Sequence, residues 1–147
     1  MESSQACPGR VFILRLHDGE VLHETVEGFA LSNNIKAAAV TAVGGAGKGS
    51  KLTVGPKVPI TESIEPLYHV LNEPHEFTGT GTIFLNQDGR PVMHMHCSCG
   101  REGMSVTGCV RSGVTAWLVM EVVITEIVGA KAVRRKEKGF EILTIGE

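Results

Sequence analysis

The residues of this chain best suited to chemistry lie between His94 and Cys109. His94 and His96 sit in the run Pro91-Val92-Met93-His94-Met95-His96-Cys97-Ser98-Cys99, which reads as a β-strand. Side chains alternate faces along a strand, so His94, His96 and Ser98 share one face and Met93, Met95, Cys97 and Cys99 the other. Folding the chain back about Arg101-Glu102 pairs this strand with Met104 to Val110. His94 then opposes Cys109, and His96 opposes Thr107. Directly opposed Cβ atoms lie ~4.5–5.5 Å apart, close enough for two imidazoles and a thiolate to converge on one ion. Zinc accepts such donors, and its catalytic sites use three protein ligands and one open position. The expected metal ligands are therefore His94, His96 and Cys109, for zinc or a similar divalent transition metal.

An open coordination position can activate water, so a metal-dependent hydrolase or lyase acting on a small molecule is one reading. That chemistry needs a general base. No acid is fixed beside the site by spacing, and Glu76 and Glu102 are the candidates. His69, His75 and Glu76 are kept as peripheral site groups, while His17 and His23 read as surface or hydrogen-bonded residues. Cys97 and Cys99 fit a core-filling role better than a redox pair, because two residues along a strand set their Cα atoms ~6.6 Å apart.

The elements that must position this site can be read from periodicity. Val11 to Leu16 is a β-rich run, closed by Asp18-Gly19. Leu22, Val26, Phe29 and Ala30 repeat at helical spacing, with Asp18 to cap the helix and Asn33-Asn34 to end it. Ile35 to Val43 reads as a buried strand whose alanines admit a close neighbour. The glycine-rich stretch 44–50 misses the Walker pattern and no helix follows it, so it reads as a turn. Residues 55–66 read as an irregular surface loop. Strands are expected over Leu67 to Leu71, Phe77 to Leu85, Pro91 to Cys99, Met104 to Val110, Thr115 to Thr125 and Phe140 to Ile145. Short turns at Asp88-Gly89 and Gly100 to Gly103 imply an antiparallel meander. Folded about Asp88-Gly89, the first hairpin sets Ile83 opposite His94 and Gly81 opposite His96, so that Gly79 and Gly81 leave space over the histidine face. The fold class is α+β, largely antiparallel sheet with one or two helices. Residues 1–9 are expected to form a tail and 10–147 a single domain.

The 147 residues are 42% hydrophobic and 20% charged, a globular composition. The formal net charge is -2 and the pI about 6.3, which argues against tight nonspecific binding of DNA. The cluster Lys131, Arg134, Arg135, Lys136 and Lys138 could meet phosphates but reads more simply as a solvated edge. No signal peptide or transmembrane run is evident, so the cytoplasm is the expected compartment and no membrane partner is expected.

Three segments together resemble a known family. Gly79-Thr80-Gly81-Thr82-Ile83, Gly89-Arg90-Pro91-Val92-Met93-His94-Met95-His96 and Gly108-Cys109-Val110 resemble the PPC (plants and prokaryotes conserved) domain. The resemblance runs from about residue 10 to 145. It implies a compact α+β fold, a homotrimer and, as in prokaryotic stand-alone members, a metal-binding His cluster. His94 and His96 match the family's His-x-His, and Cys109 stands where its third His would be. Thr107 replaces the first glycine of the family's Gly-Gly pair. The resemblance also carries a presumed DNA-binding role, although the AT-hook of plant members is absent here.

Overall fold

The structure is a computed structural model that describes residues 1–58, 65–137 and 140–146. Its elements are β1 (Cys7–Leu16), α1 (Leu22–Ser32), β2 (Ala37–Ala46), β3 (Lys51–Pro56), β4 (Pro66–Val70), β5 (His75–Leu85), β6 (Pro91–Arg101), β7 (Met104–Cys109), β8 (Ala116–Val128), β9 (Ala132–Glu137) and β10 (Phe140–Ile145). A single 3-10 turn, Val110–Ser112, follows β7. The expected α+β class holds. Eight strands form one antiparallel sheet in the order β1-β8-β2-β5-β6-β7-β3-β4, and β9 and β10 pair separately.

The expected meander holds for β5, β6 and β7 only. β8 crosses the sheet and inserts between β1 and β2, burying Met120, Val122 and Ile124 in the centre. Of the expected loop 55–66, residues 55–56 belong to β3 and residue 66 to β4, while 57, 58 and 65 are irregular; residues 59–64 lie outside the described residues. Gly44 to Ala46 extend β2 rather than starting a turn.

Alternation decides which face is core. Ala38, Val40 and Ala42 of β2, Met93, Met95, Cys97 and Cys99 of β6, and the three β8 residues all point inward. Helix α1 covers them with Leu22, Val26 and Ala30, and its contacts fall on β6. Asp18 does not cap this helix. Val21 holds the cap position without a side-chain bond, and Asp18 Oδ1 accepts from Leu118 N at 2.8 Å instead. Asn33 ends the helix as expected, with both its backbone N and its Nδ2 donating to Phe29 O.

The opposite face of the sheet is covered at the Thr82–Phe84 end of β5, where Arg134 of β9 packs, and is open over its β1-β8-β2 end. Ile13, Val123, Thr41, Thr80, His96 and Cys109 lie in one cross-strand row, and Val11, Thr125, Ala39, Thr82 and His94 in the next. The β1-β8-β2 end of this face exposes Val11, Ile13, Val43 and Val123, with Ile13 81% exposed. The histidines stand at the other end.

Candidate metal centre

Two hairpins set the site, and both differ in register from expectation. The β6–β7 turn is Glu102-Gly103, with φ values of 53° and 76°, and Arg101 pairs with Met104. A two-residue hairpin favours positive φ at both central positions because that twist matches the strands. The turn therefore falls one residue later than Arg101-Glu102. His96 opposes Cys109 and Ser98 opposes Thr107, rather than His94 opposing Cys109 and His96 opposing Thr107. A two-residue slip of the partner preserves the face, so the three expected ligands remain on one side.

The β5–β6 loop differs by one residue, which reverses the face. Asn86 to Arg90 form a closed loop, with Asn86 Oδ1 accepting from Asp88 N and Arg90 N at 3.0 Å each. Leu85 then pairs with Pro91, Thr82 with His94, and Thr80 with His96. Threonines, not glycines, flank the histidines. Gly79 and Gly81 lie on the core face, against Met95.

The glycines still matter there. A Cβ on Gly81 would lie 2.4 Å from His94 O and 2.7 Å from the Met95 Cα, so only glycine lets β5 lie this close beneath the histidine strand. Gly108 plays a similar part beside Cys109, because a Cβ there would meet Thr53 O at 2.8 Å.

The structure brings His94, His96 and Cys109 together. One donor atom from each lies within 4.8 Å of the other two. The imidazole centroids are 5.1 Å apart at 78°. Both histidines are exposed and Cys109 is half-buried. A tetrahedral zinc ion needs donors about 3.3–3.6 Å apart by its bond lengths, so a modest closure of these side chains reaches that geometry. Among the described residues, no other three His, Cys, Asp or Glu groups converge comparably. Partial burial, followed by the charges of Arg111, Arg134 and His96, lowers the pKa of His94. The imidazole is then neutral near pH 7, the form that binds a metal.

The remaining candidates fall elsewhere. Glu76 pairs with Gly100 toward the far end of β6, Glu102 is in the turn and ion-pairs with Arg101 at 3.2 Å, and His69 is exposed on β4. His75 Nδ1 is engaged by Glu73 O at 2.7 Å. Cys97 and Cys99 are buried on the core side with Sγ atoms 3.9 Å apart. Their mutual hydrogen bond and burial push the Cys97 thiol well up, so it stays protonated.

Two residues near the site were not singled out for it from sequence. Glu27 of α1 has its Oε1 accepting from Met93 N at 2.8 Å, one residue along the strand from His94. Burial raises its pKa, against the opposing effect of the Met93 N–H, His23 and Arg111. Arg134 of β9, read from sequence as part of a solvated basic edge, is 3% exposed. Its Nη2 donates to Thr82 Oγ1 at 3.0 Å and its Nε to Val92 O at 3.3 Å. Thr82 is the residue directly opposite His94. Lys138 of the same basic run lies outside the described residues.

Comparison with known proteins agrees with this architecture. The chain matches the Plants and Prokaryotes Conserved (PCC) domain over residues 3–128 and belongs to that family. It is similar to a plant- and prokaryote-conserved protein of Pyrococcus horikoshii, with 24% identity, a TM-score of 0.84 and coverage of 100% of this chain and 99% of that one. A metal-containing protein from Archaeoglobus fulgidus shares 23% identity and a TM-score of 0.82, with 100% of each chain covered. A presumed DNA-binding protein from Bacteroides thetaiotaomicron shares 16% identity and a TM-score of 0.73, over 99% of this chain and 97% of that one. At these identities the likeness establishes the fold. No curated protein sequence matches the chain significantly. No helix among the described residues is long and apolar enough to cross a membrane.

Proposed function

We propose that this protein is a homotrimeric PPC-domain metal binder that holds one zinc-like ion per chain through His94, His96 and Cys109, in a regulatory or small-molecule role. The convergence of the three donors within 4.8 Å carries this reading, and a metal-containing relative of the same fold supports it. Two nitrogens and one sulfur suit zinc, and three protein ligands leave a position open. Elemental analysis of untagged protein tests it. Up to one ion per chain is expected in the wild type and none in His94→Ala/His96→Ala; equal content in the two would refute the site.

The trimer reading has physical support in the open face. Val11, Ile13, Val43 and Val123 form an apolar patch on β1, β8 and β2, the kind of surface that a partner covers. Light scattering behind a sizing column should return about three times 15.7 kDa, and a clean monomer at micromolar concentration would contradict it.

DNA association is the family-level alternative for the biological role. Withdrawal of Arg134 from the surface weakens the one basic cluster, and the net charge is -2. Binding is therefore expected to be weak and lost near physiological salt, as few phosphate contacts give a low affinity. Fluorescence anisotropy with random and AT-rich duplexes tests this. Submicromolar affinity that persists at physiological salt and depends on Arg135 and Lys136 would reverse the view.

The hydrolase or lyase reading gains one observation. Glu27, fastened to Met93 N one residue along the strand from His94 and with its pKa raised by burial, joins Glu76 and Glu102 as a candidate acid. Turnover of small esters or amides that disappears in both Glu27→Gln and His96→Ala would favour it, and turnover indifferent to either would exclude this site as the source.

A further inference from the structure

The open face changes character across the sheet. Over β1, β8 and β2 it exposes Val11, Ile13, Val43 and Val123. From β2 to β7 it carries hydroxyls as well. Thr41, Thr80 and His96 stand in one cross-strand row, and Thr78, Ser98 and Thr107 in the next. Together they line a cleft of about 430 Å³ that opens to solvent, a volume within the usual range for small-molecule sites. His96 forms part of its wall, and Cys109 lies directly across the ladder from His96. The cleft therefore adjoins the candidate metal centre. Among the described residues, no Asp, Glu, Lys or Arg lines it.

Threonine favours strands in general, so its presence alone explains little. The arrangement goes further. Among the described residues, none of the five hydroxyls in the cleft makes a hydrogen bond, so each keeps both a donor and an acceptor for whatever enters. The threonine methyls and Val43, which also lines the cleft, add apolar surface between the hydroxyls. Alternating hydroxyl and hydrocarbon surface matches a sugar or polyol, whose ring presents C–H faces between its oxygens. A charged ligand would find no counter-charge there.

We propose that this cleft is the ligand site of the metal centre and that it takes a neutral, polyhydroxylated small molecule of monosaccharide size. One ligand oxygen takes the ion's open position beside His96, and the others exchange hydrogen bonds with the threonine and serine hydroxyls. This rests on the metal reading above and adds the chemical class of the ligand.

Saturation-transfer NMR of the zinc-loaded protein with myo-inositol, D-glucose and D-ribose tests it. Cyclohexanol, a ring with a single hydroxyl, is the control, and elemental analysis accompanies each sample. At least one of the three polyols should bind saturably and more tightly than cyclohexanol. Thr80→Val and Ser98→Ala each remove one hydroxyl with little change of shape. Each should weaken polyol binding about three- to tenfold, as the loss of one hydrogen bond does. Full zinc content with no polyol bound, or with cyclohexanol bound as tightly, overturns the polyol cleft and leaves the metal site standing. Equal polyol affinity in the wild type and both variants overturns it too. Protein that takes up no zinc sinks the metal reading instead. Polyol binding that Thr80→Val weakens would then uphold the hydroxyl cleft without the ion, and its absence would overturn the cleft as well.

Discussion

Replacing Gly81 with alanine should damage the candidate site from behind, without altering any donor. The new Cβ would sit 2.4 Å from His94 O and 2.7 Å from the Met95 Cα. Ordinary carbon–oxygen contacts begin at roughly 3.3 Å, so β5 and β6 must part by close to ~1 Å at His94. Both obstacles are backbone, so no rotamer change relieves them. Overpacking of this kind costs about 1–3 kcal/mol, and the reduced freedom of the unfolded chain returns about 0.4–1 kcal/mol. A net loss of about 1–2 kcal/mol corresponds to a fall in Tm of roughly 2–8 °C for a domain of this size. Moving the ligand's own backbone should also lower metal affinity by about 10- to 100-fold, the usual cost of disturbing a ligand's support. Thermal unfolding and zinc competition against a chromogenic chelator measure the two effects. Gly100→Ala is the internal control, because its Cβ would meet only Met104 O, at 3.8 Å. If Gly81→Ala and Gly100→Ala lose the same stability and the same affinity, the close-approach argument is wrong.

Cys97→Ala/Cys99→Ala should retain full metal loading while Cys109→Ala loses it, since the first two thiols face the core; elemental analysis decides. Glu27 has a raised folded pKa, so the folded chain holds its proton longer than the unfolded chain does. Its contribution is therefore lost as pH rises above the ordinary carboxyl value of 4.5. Glu27→Gln should accordingly match the wild type in urea unfolding at pH 4 and exceed it at pH 7, and the reverse order would refute this sign. Ile13→Lys, at a side chain 81% exposed in the single chain, should leave circular dichroism unchanged yet reduce the oligomer in light scattering. An intact trimer would remove the β1 patch from the interface.

Some of this architecture was legible because strand alternation is local. The separation of His94 and His96 from Met93, Met95, Cys97 and Cys99 needed only a period of two, and it survives in the structure, where the two histidines are exposed and the other four side chains buried. Cys109 stayed on the histidine face because the hairpin slipped its partner by two. The glycines of β5 were assigned to the wrong face because the side chain of Asn86 organises an odd-length loop, and a one-residue error inverts every neighbour. The placement of β8 between β1 and β2 had no local signature, being a pairing across some hundred residues of chain. Glu27 sits next to Val26 on the helix's apolar stripe, a position that hinted at partial burial without naming Met93 as its partner. Arg134 and Arg135 are neighbours of one type, and only the docking of β9 against the end of β5, through a bridge from Asn86 to Arg134, distinguishes the one that is buried.

That docking gives Arg134 a footing apart from the main sheet. The match to the family ends at residue 128, and every donor of the candidate metal centre falls before it. Arg134 falls after it, on a hairpin that makes its own two-stranded sheet. A change in the short connection Gly129-Ala130-Lys131 re-aims the arginine while every strand of the main sheet keeps its register. The surroundings of His94 are thus open to revision without any renegotiation of the fold. The hairpin is an adjustable wall, and the sheet behind it a fixed one.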